Sequence, residues 1–248
     1  MPFNKHMKLF CALILFFALQ VAVQAEKPIL IVVTNHDEIG DTGTPTGYFL
    51  SEVAHPWHVF TEAGYSVEFA SPDGGFAPMD PKSFDLEDPV NKTFWHDLNA
   101  VQKLVHTQDL AKLDPLDYSA IFFAGGHGTM WDFPKSKAVR KSIAKHYKGG
   151  GVIGAVCHGP AALINVKVDG EFLVKGKRVA GFTNEEEAAV QLTDAVPFLL
   201  ETELRQLGAE FVKAENFQNK VVVSGRLVTG QNPASATDTA KAMVKLLD

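Results

Sequence analysis

Residues 29–33 are five aliphatic side chains in a row, Ile29, Leu30, Ile31, Val32 and Val33. A run without polar alternation predicts a strand covered on both faces, as in a parallel sheet. After the polar, glycine-rich stretch 35–47, apolar residues at 49, 50, 53, 57 and 60 recur with helical spacing and stop at Gly64. Residues 66–71 and 118–124 read as two more strands, the second running into Gly125-Gly126-His127-Gly128. Between them, 72–117 carries Pro72, Pro78, Pro81 and Pro89, which predicts an irregular insertion with a helical patch near 101–113.

The second half continues the alternation. Residues 135–147 mix apolar and basic positions as a surface helix does, and Gly149-Gly150-Gly151 stops it before the apolar strand 152–156. Gly170 turns a hairpin-like stretch, Asn184 is placed to cap a helix beginning at Glu185, and 197–207 predicts another helix. Strand patterns follow at 210–212, 220–223 and 227–229, and an amphipathic helix over 233–247 closes the chain. Strands alternating with helices predict an α/β fold, a mostly parallel sheet sandwiched by helices, whose ligands bind beyond the carboxyl ends of the strands.

The amino terminus departs from this pattern. Lys5, His6 and Lys8 precede an apolar run over 9–23 that ends Val23-Gln24-Ala25. That is the form of a secretory leader, short for a membrane span, and it predicts cleavage after Ala25 and export to a periplasm or the exterior, with an uncleaved anchor as the alternative. Residues 26–248 are a length that one α/β domain fills. The leader holds two of the 23 Lys and Arg and none of the 29 Asp and Glu, so the mature protein is two units more negative than the −6 of the full chain. Such a surface argues against nucleic acid as a partner, and a chain freed of its leader has no stable membrane association. Cleavage also removes Cys11 and leaves Cys157 alone in an oxidising compartment, either as a small core residue or as a thiol kept for its chemistry.

Ala155-Val156-Cys157-His158-Gly159-Pro160 puts that thiol at the end of a buried strand and before a run of small residues. This is the layout of a nucleophile elbow with cysteine in the serine position. A helix amino terminus and nearby amides favour thiolate, so a lowered Cys157 pKa is expected. His158 is an adjacent base, and the amides of His158 and of Gly125 or Gly126 are candidates for an oxyanion hole. His127, in the glycine loop, is placed to line a pocket with Met130 and Trp131 as its wall. His55 and His58 lie three apart on the first helix, but no convergent cysteine or acid motif joins them, so no metal site is expected.

The runs Gly125-Gly126-His127-Gly128-Thr129-Met130-Trp131-Asp132 and Ala155-Val156-Cys157-His158-Gly159-Pro160-Ala161-Ala162 resemble the two signatures of the ThiJ/PfpI superfamily. More narrowly, the chain resembles the heat-shock chaperone and glutathione-independent glyoxalase branch, a likeness that extends to 46–52, His55-Pro56-Trp57, 181–187 and 225–235. The resemblance implies a flavodoxin-like fold with Cys157 as nucleophile on a strained elbow, His158 beside it and Glu52 as a carboxyl group against the sulfur. It also implies an acidic third triad member after Gly181-Phe182-Thr183. Alignment by spacing selects Glu187, with Glu185 and Glu186 open as alternatives.

A homodimer is implied on the same ground, as is an activity that needs no metal, cofactor or glutathione. That activity is conversion of methylglyoxal or a related 2-oxoaldehyde to a 2-hydroxy acid, which is lactate in the case of methylglyoxal. The same thiol, base and amide donors would also suit a cysteine amidase, peptidase or protein deglycase. A third expectation is a holding chaperone for unfolded client proteins, with Phe76, Phe84, Phe94 and Trp95 of the insertion supplying exposed apolar surface.

Overall fold

The computed structural model describes residues 26–248; the leader predicted at 1–25, with Cys11, lies outside them. The strands are β1 (Ile29–Val32), β2 (Val67–Ser71), β3 (Gln108–Asp109), β4 (Ala120–Phe123), β5 (Val152–Val156), β6 (Lys167–Val168), β7 (Glu171–Phe172), β8 (Arg178–Val179), β9 (Glu210–Phe211), β10 (Val221–Ser224) and β11 (Leu227–Gly230). The helices are α1 (Leu50–Glu62), α2 (Pro89–His96), α3 (Leu98–Val105), α4 (Thr129–Asp132), α5 (Lys137–Lys148), α6 (Asn184–Ala189), α7 (Leu200–Gln206) and α8 (Ala236–Val244).

Seven strands form one sheet in the order β10-β11-β5-β4-β1-β2-β3, parallel throughout except where β10 runs against β11. The unbroken apolar strands β1, β4 and β5 lie at its centre and are buried at every position, as expected of strands covered on both faces. α1 and α8 pack on each other and α8 lies on β5 and β11, while α5 covers β4 and β5 on the other face. The chain lays β2 and β3 outward on one side of β1 and then returns to place β4 on the other. Loops that leave β1 and β4 therefore part company, and a crevice opens over the carboxyl ends of these strands.

Several elements differ from expectation. The insertion is ordered, and its helices α2 and α3 cover 89–96 and 98–105 instead of a patch near 101–113. Their caps explain why: Asp88 accepts the Val90 and Asn91 N–H groups, and Asp97 accepts that of Ala100. Pro89 stands in the first turn of α2, where its missing N–H costs nothing, so it starts a helix instead of breaking one. Phe94 is fully buried, edge-on to Trp57 and Phe69, and Trp95 is partly buried against the core. Only Phe76 and Phe84 of the four insertion aromatics are exposed.

Thr183, not Asn184, caps α6, in a reciprocal box where Thr183 Oγ1 accepts the Glu186 N–H and Glu186 accepts the Thr183 N–H. The helix expected over 197–207 contracts to α7, and 233–235 is a 3-10 turn ahead of α8. The β6–β7 hairpin turns at Asp169 and Gly170, both with positive φ, at the predicted glycine. No helix among the described residues is long and apolar enough to cross a membrane.

Candidate active site

β5 delivers Cys157 to the sheet's carboxyl edge, where the residue takes φ +59°, a sparsely populated conformation for a side chain with a Cβ. Holding it there costs on the order of 1–3 kcal/mol, which the surroundings must supply. They do so on both flanks: the Cys157 N–H donates to Gly230 O at 3.0 Å, and the Phe182 N–H donates to Cys157 O at 2.8 Å. Space for the turn comes from two glycines. A Cβ on Gly159 would stand 2.3 Å from Phe123 O, and one on Gly125 would stand 2.5 Å from Glu52 Oε2 and 2.8 Å from His158 N. The segment after the thiol is a five-residue 3-10 turn, Gly159–Leu163, and not the α-helix whose dipole was expected to act on the sulfur.

His158 Nδ1 lies 3.4 Å from Cys157 Sγ, and its Nε2 is 2.8 Å from Glu187 Oε2. An ionised carboxylate only accepts, so this contact fixes the ring as the Nε2–H tautomer and turns the Nδ1 lone pair to the thiol. The second oxygen of the same carboxylate, Glu187 Oε1, is 2.9 Å from His127 Nε2. One carboxylate thus holds two imidazoles, whose ring centroids are 4.1 Å apart.

The capping box explains how α6 offers Glu187. It commits Glu186 to the backbone of Thr183 and Phe217 and to the side-chain amides of Gln231 and Asn232, while Glu185 faces Lys213 outside. Of the three consecutive acids, Glu187 is the one that meets the histidines. The donor atoms of His127, His158 and Glu187 lie within 4.8 Å of one another, a group that a divalent ion could bridge, though their mutual hydrogen bonds already account for the arrangement.

Glu52, in the first turn of α1, is fully buried with its carboxyl group against the Cys157 thiol. Its Oε2 accepts the Gly125 N–H at 2.8 Å and its Oε1 has no other polar partner. Burial outweighs these bonds and pushes Glu52 up to about 8, so the carboxyl group is mostly protonated at neutral pH. Burial also pushes the Cys157 thiol well above its ordinary value, against the lowered pKa expected from sequence; negative charge on Glu52 adds to the rise, and the His158 backbone N–H works against it. Burial and the charge of His127 lower the His158 pKa. For Glu187 burial acts upward, but His158 and the two imidazole hydrogen bonds outweigh it and hold the carboxyl group down to about 2. At neutral pH the resting site is therefore a neutral thiol and carboxyl pair beside a neutral imidazole on an ionised carboxylate.

A cavity of about 280 Å³ opens over Cys157, with Gly126, His127 and His158 at its polar end. Gly125 cannot serve as an oxyanion donor, because its N–H is spent on Glu52; Gly126 and His158 remain. Met130 and Trp131 do not line the cavity: Met130 is fully buried and Trp131 stacks on His36 with centroids 4.9 Å apart. Its apolar wall is instead Ile39, Phe49, Phe182, Val190, Leu192, Phe217 and Pro233, with Asp80 and Lys82 as the charged residues of the lining, and Phe182 lies over the His158 ring at 4.4 Å between centroids. His55 is tied to Thr237 Oγ1 and Asp88 Oδ2, away from this site.

A doubly wound α/β protein with a cysteine on a strained elbow, backed by a His and Glu pair and a buried carboxyl group, is the class these features define. Residues 45–246 match the DJ-1/PfpI family, and the chain belongs to it. It is similar to glyoxalase 3 of Candida albicans, with 34% identity over 87% of this chain and 96% of that protein. A glutathione-independent glyoxalase of Saccharomyces cerevisiae is 32% identical over 90% of this chain and 99% of its own length. Among solved structures, the rapid encystment protein of Francisella tularensis superposes with a TM-score of 0.86 at 42% identity, covering 90% of this chain and 99% of that one. Glyoxalase III of Candida albicans superposes with a TM-score of 0.82 at 33% identity, covering 89% of this chain and 97% of that one.

Proposed function

We propose that this protein is a glutathione-independent glyoxalase that converts 2-oxoaldehydes to 2-hydroxy acids. The names of the Candida and Saccharomyces relatives point to that activity. One observation carries it for this chain: at the floor of a single cavity, a base turns its lone pair to a thiol beside amide N–H groups.

His158 Nδ1 takes the Cys157 proton as the sulfur attacks the aldehyde carbon. The Gly126 and His158 N–H groups hold the oxygen that becomes negative, and the protonated imidazole then returns its proton to that oxygen. The imidazole, neutral again, removes the hydrogen from the former aldehyde carbon, and a proton is delivered to the neighbouring ketone carbon through an enediol. The first carbon is thereby oxidised to a thioester and the second reduced to a carbinol, with no external electron donor or acceptor. Water cleaves the thioester, releasing the 2-hydroxy acid and the free thiol. Cys157 plays the part that glutathione would otherwise play. Glu52, neutral below about 8, keeps a hydrogen-bond donor beside the sulfur and stabilises the thiolate as it forms.

Residues 26–248 are expected to form lactate from methylglyoxal in buffer containing a chelator and no glutathione, and Cys157→Ser is expected to form none. A folded wild type that leaves methylglyoxal untouched but cleaves amide substrates would move the assignment to the cysteine amidases. Export through a cleaved leader and homodimer formation belong to the same proposal, and cell fractionation with amino-terminal sequencing, and light scattering, test them. Chaperoning of unfolded clients would require aggregation to be suppressed by the Cys157→Ser protein as well.

A further inference from the structure

Two loops border the mouth of the cavity, and each contains a residue other than glycine in the left-handed region. Gln191, at φ +61°, lies between the wall residues Val190 and Leu192, and Phe217, at φ +59°, is itself part of the wall. Such backbone costs about 1–3 kcal/mol per residue and persists only where the surroundings impose it. The imposition is visible at Phe217: its N–H donates at 2.8 Å to Glu186 Oε1, on the residue next to Glu187. The helix that offers a carboxylate to the two histidines therefore also anchors the wall opposite them.

What this strain holds in place is apolar surface in contact with water. Phe217 is 46% exposed and Val190 38% exposed. The Phe217 ring lies 6.4 Å from that of Phe182, which lies over His158, so an aromatic path leads from the base to the mouth. A cavity of about 280 Å³ matches about nine liquid waters at ~30 Å³ each. Methylglyoxal, with five heavy atoms, leaves much of that space empty. A 2-oxoaldehyde whose C1 lies on Cys157, with its oxygen at Gly126, turns its ketone substituent toward Phe49, Phe182, Leu192 and Phe217, the apolar part of a lining that also includes Asp80 and Lys82.

Resting on the glyoxalase assignment, we infer that the site is built for 2-oxoaldehydes carrying an extended apolar substituent, either branched alkyl or aryl, and that Phe217 and Val190 select for it. The wall removes the substituent from water, and burial of each methylene is worth ~0.8 kcal/mol, about fourfold in kcat/KM.

The test is kcat/KM for a homologous series of alkyl 2-oxoaldehydes of matched electrophilicity, from methylglyoxal through 2-oxobutanal and 2-oxopentanal to 4-methyl-2-oxopentanal. The wild type is expected to gain about fourfold per added carbon, chiefly through KM. Phe217→Ala and Val190→Ser are expected to flatten the slope to about twofold per carbon or less, with Phe217→Leu restoring most of it, and thermal melts confirm that each variant is folded. A flat or falling series in a wild type that does turn over methylglyoxal would overturn the inference and leave the glyoxalase assignment standing. Absence of turnover across the whole series would overturn both.

Discussion

Replacing Glu187 by Gln isolates what its charge does, because the amide keeps the shape of the carboxylate. Gln must present its oxygen to one imidazole and its NH₂ to the other. His127 lines the open cavity, so it can take the Nδ1–H tautomer cheaply, while His158 is buried with its Nδ1 against the thiol. The oxygen is therefore expected to face His158 and preserve its tautomer. What the variant loses is the negative charge 2.8 Å from Nε2, against the imidazolium that forms as the thiol is deprotonated. Charge centres about 4 Å apart interact by about 4 kcal/mol at an effective dielectric near 20, which corresponds to roughly a 10³-fold fall in kcat/KM. The carboxylate charge also raises the His158 pKa, so its removal is expected to shift the acidic limb of the rate profile to lower pH. Steady-state lactate formation between pH 5 and 9 reads both effects. Activity within threefold of wild type, or an acidic limb displaced upward, would refute the assignment of Glu187 as the partner of a general base.

Three further outcomes follow from burial. Between an ordinary carboxyl value of 4.5 and about 8, folded protein holds a proton on Glu52 that unfolded protein has lost, so stability declines across that window as pH rises, by about 5 kcal/mol in all. Thermal melts of Glu52→Gln should therefore gain on wild type steadily from pH 5 to 8, and parallel curves would contradict this. Gly159→Ala drives a Cβ against Phe123 O and should cost about 3 kcal/mol in denaturant unfolding as well as activity, whereas a neutral outcome would show that the elbow tolerates slack. Burial lowers the His146 pKa below 6.5, so the fold should lose stability as pH falls below that value, and a His146→Asn variant should lack that component of the acid transition.

How far the sequence carries depends on whether a feature is local. The strands β1, β4 and β5 are continuous apolar runs, and the small residues after Cys157 mark the elbow, so sheet centre and candidate nucleophile can both be read from neighbouring residues. Glu52 and Glu187 are placed by resemblance, since no local pattern brings position 52 or 187 to position 157. The insertion misleads because a proline in a first helical turn looks the same in sequence as one that breaks a helix. The thiol's upward shift is invisible for a different reason: it comes from burial of Cys157 and Glu52 together, which is a tertiary property. His127 and Glu187 are 60 residues apart, and only the approach of α6 to the loop after β4 joins them. The capping box is local, as Thr183 and Glu186 have the required spacing, and that pattern points to the cap at Thr183 and to the inward turn of Glu186.

The most direct measurement is an acid-quenched single turnover of the wild type with methylglyoxal, followed by peptide mass spectrometry. The expected result is a transient adduct of one methylglyoxal mass on the peptide containing Cys157, decaying as lactate appears, with neither signal in Cys157→Ser. Lactate formed without any adduct on that peptide, and still formed by Cys157→Ser, would contradict a thiol-borne reaction at this site.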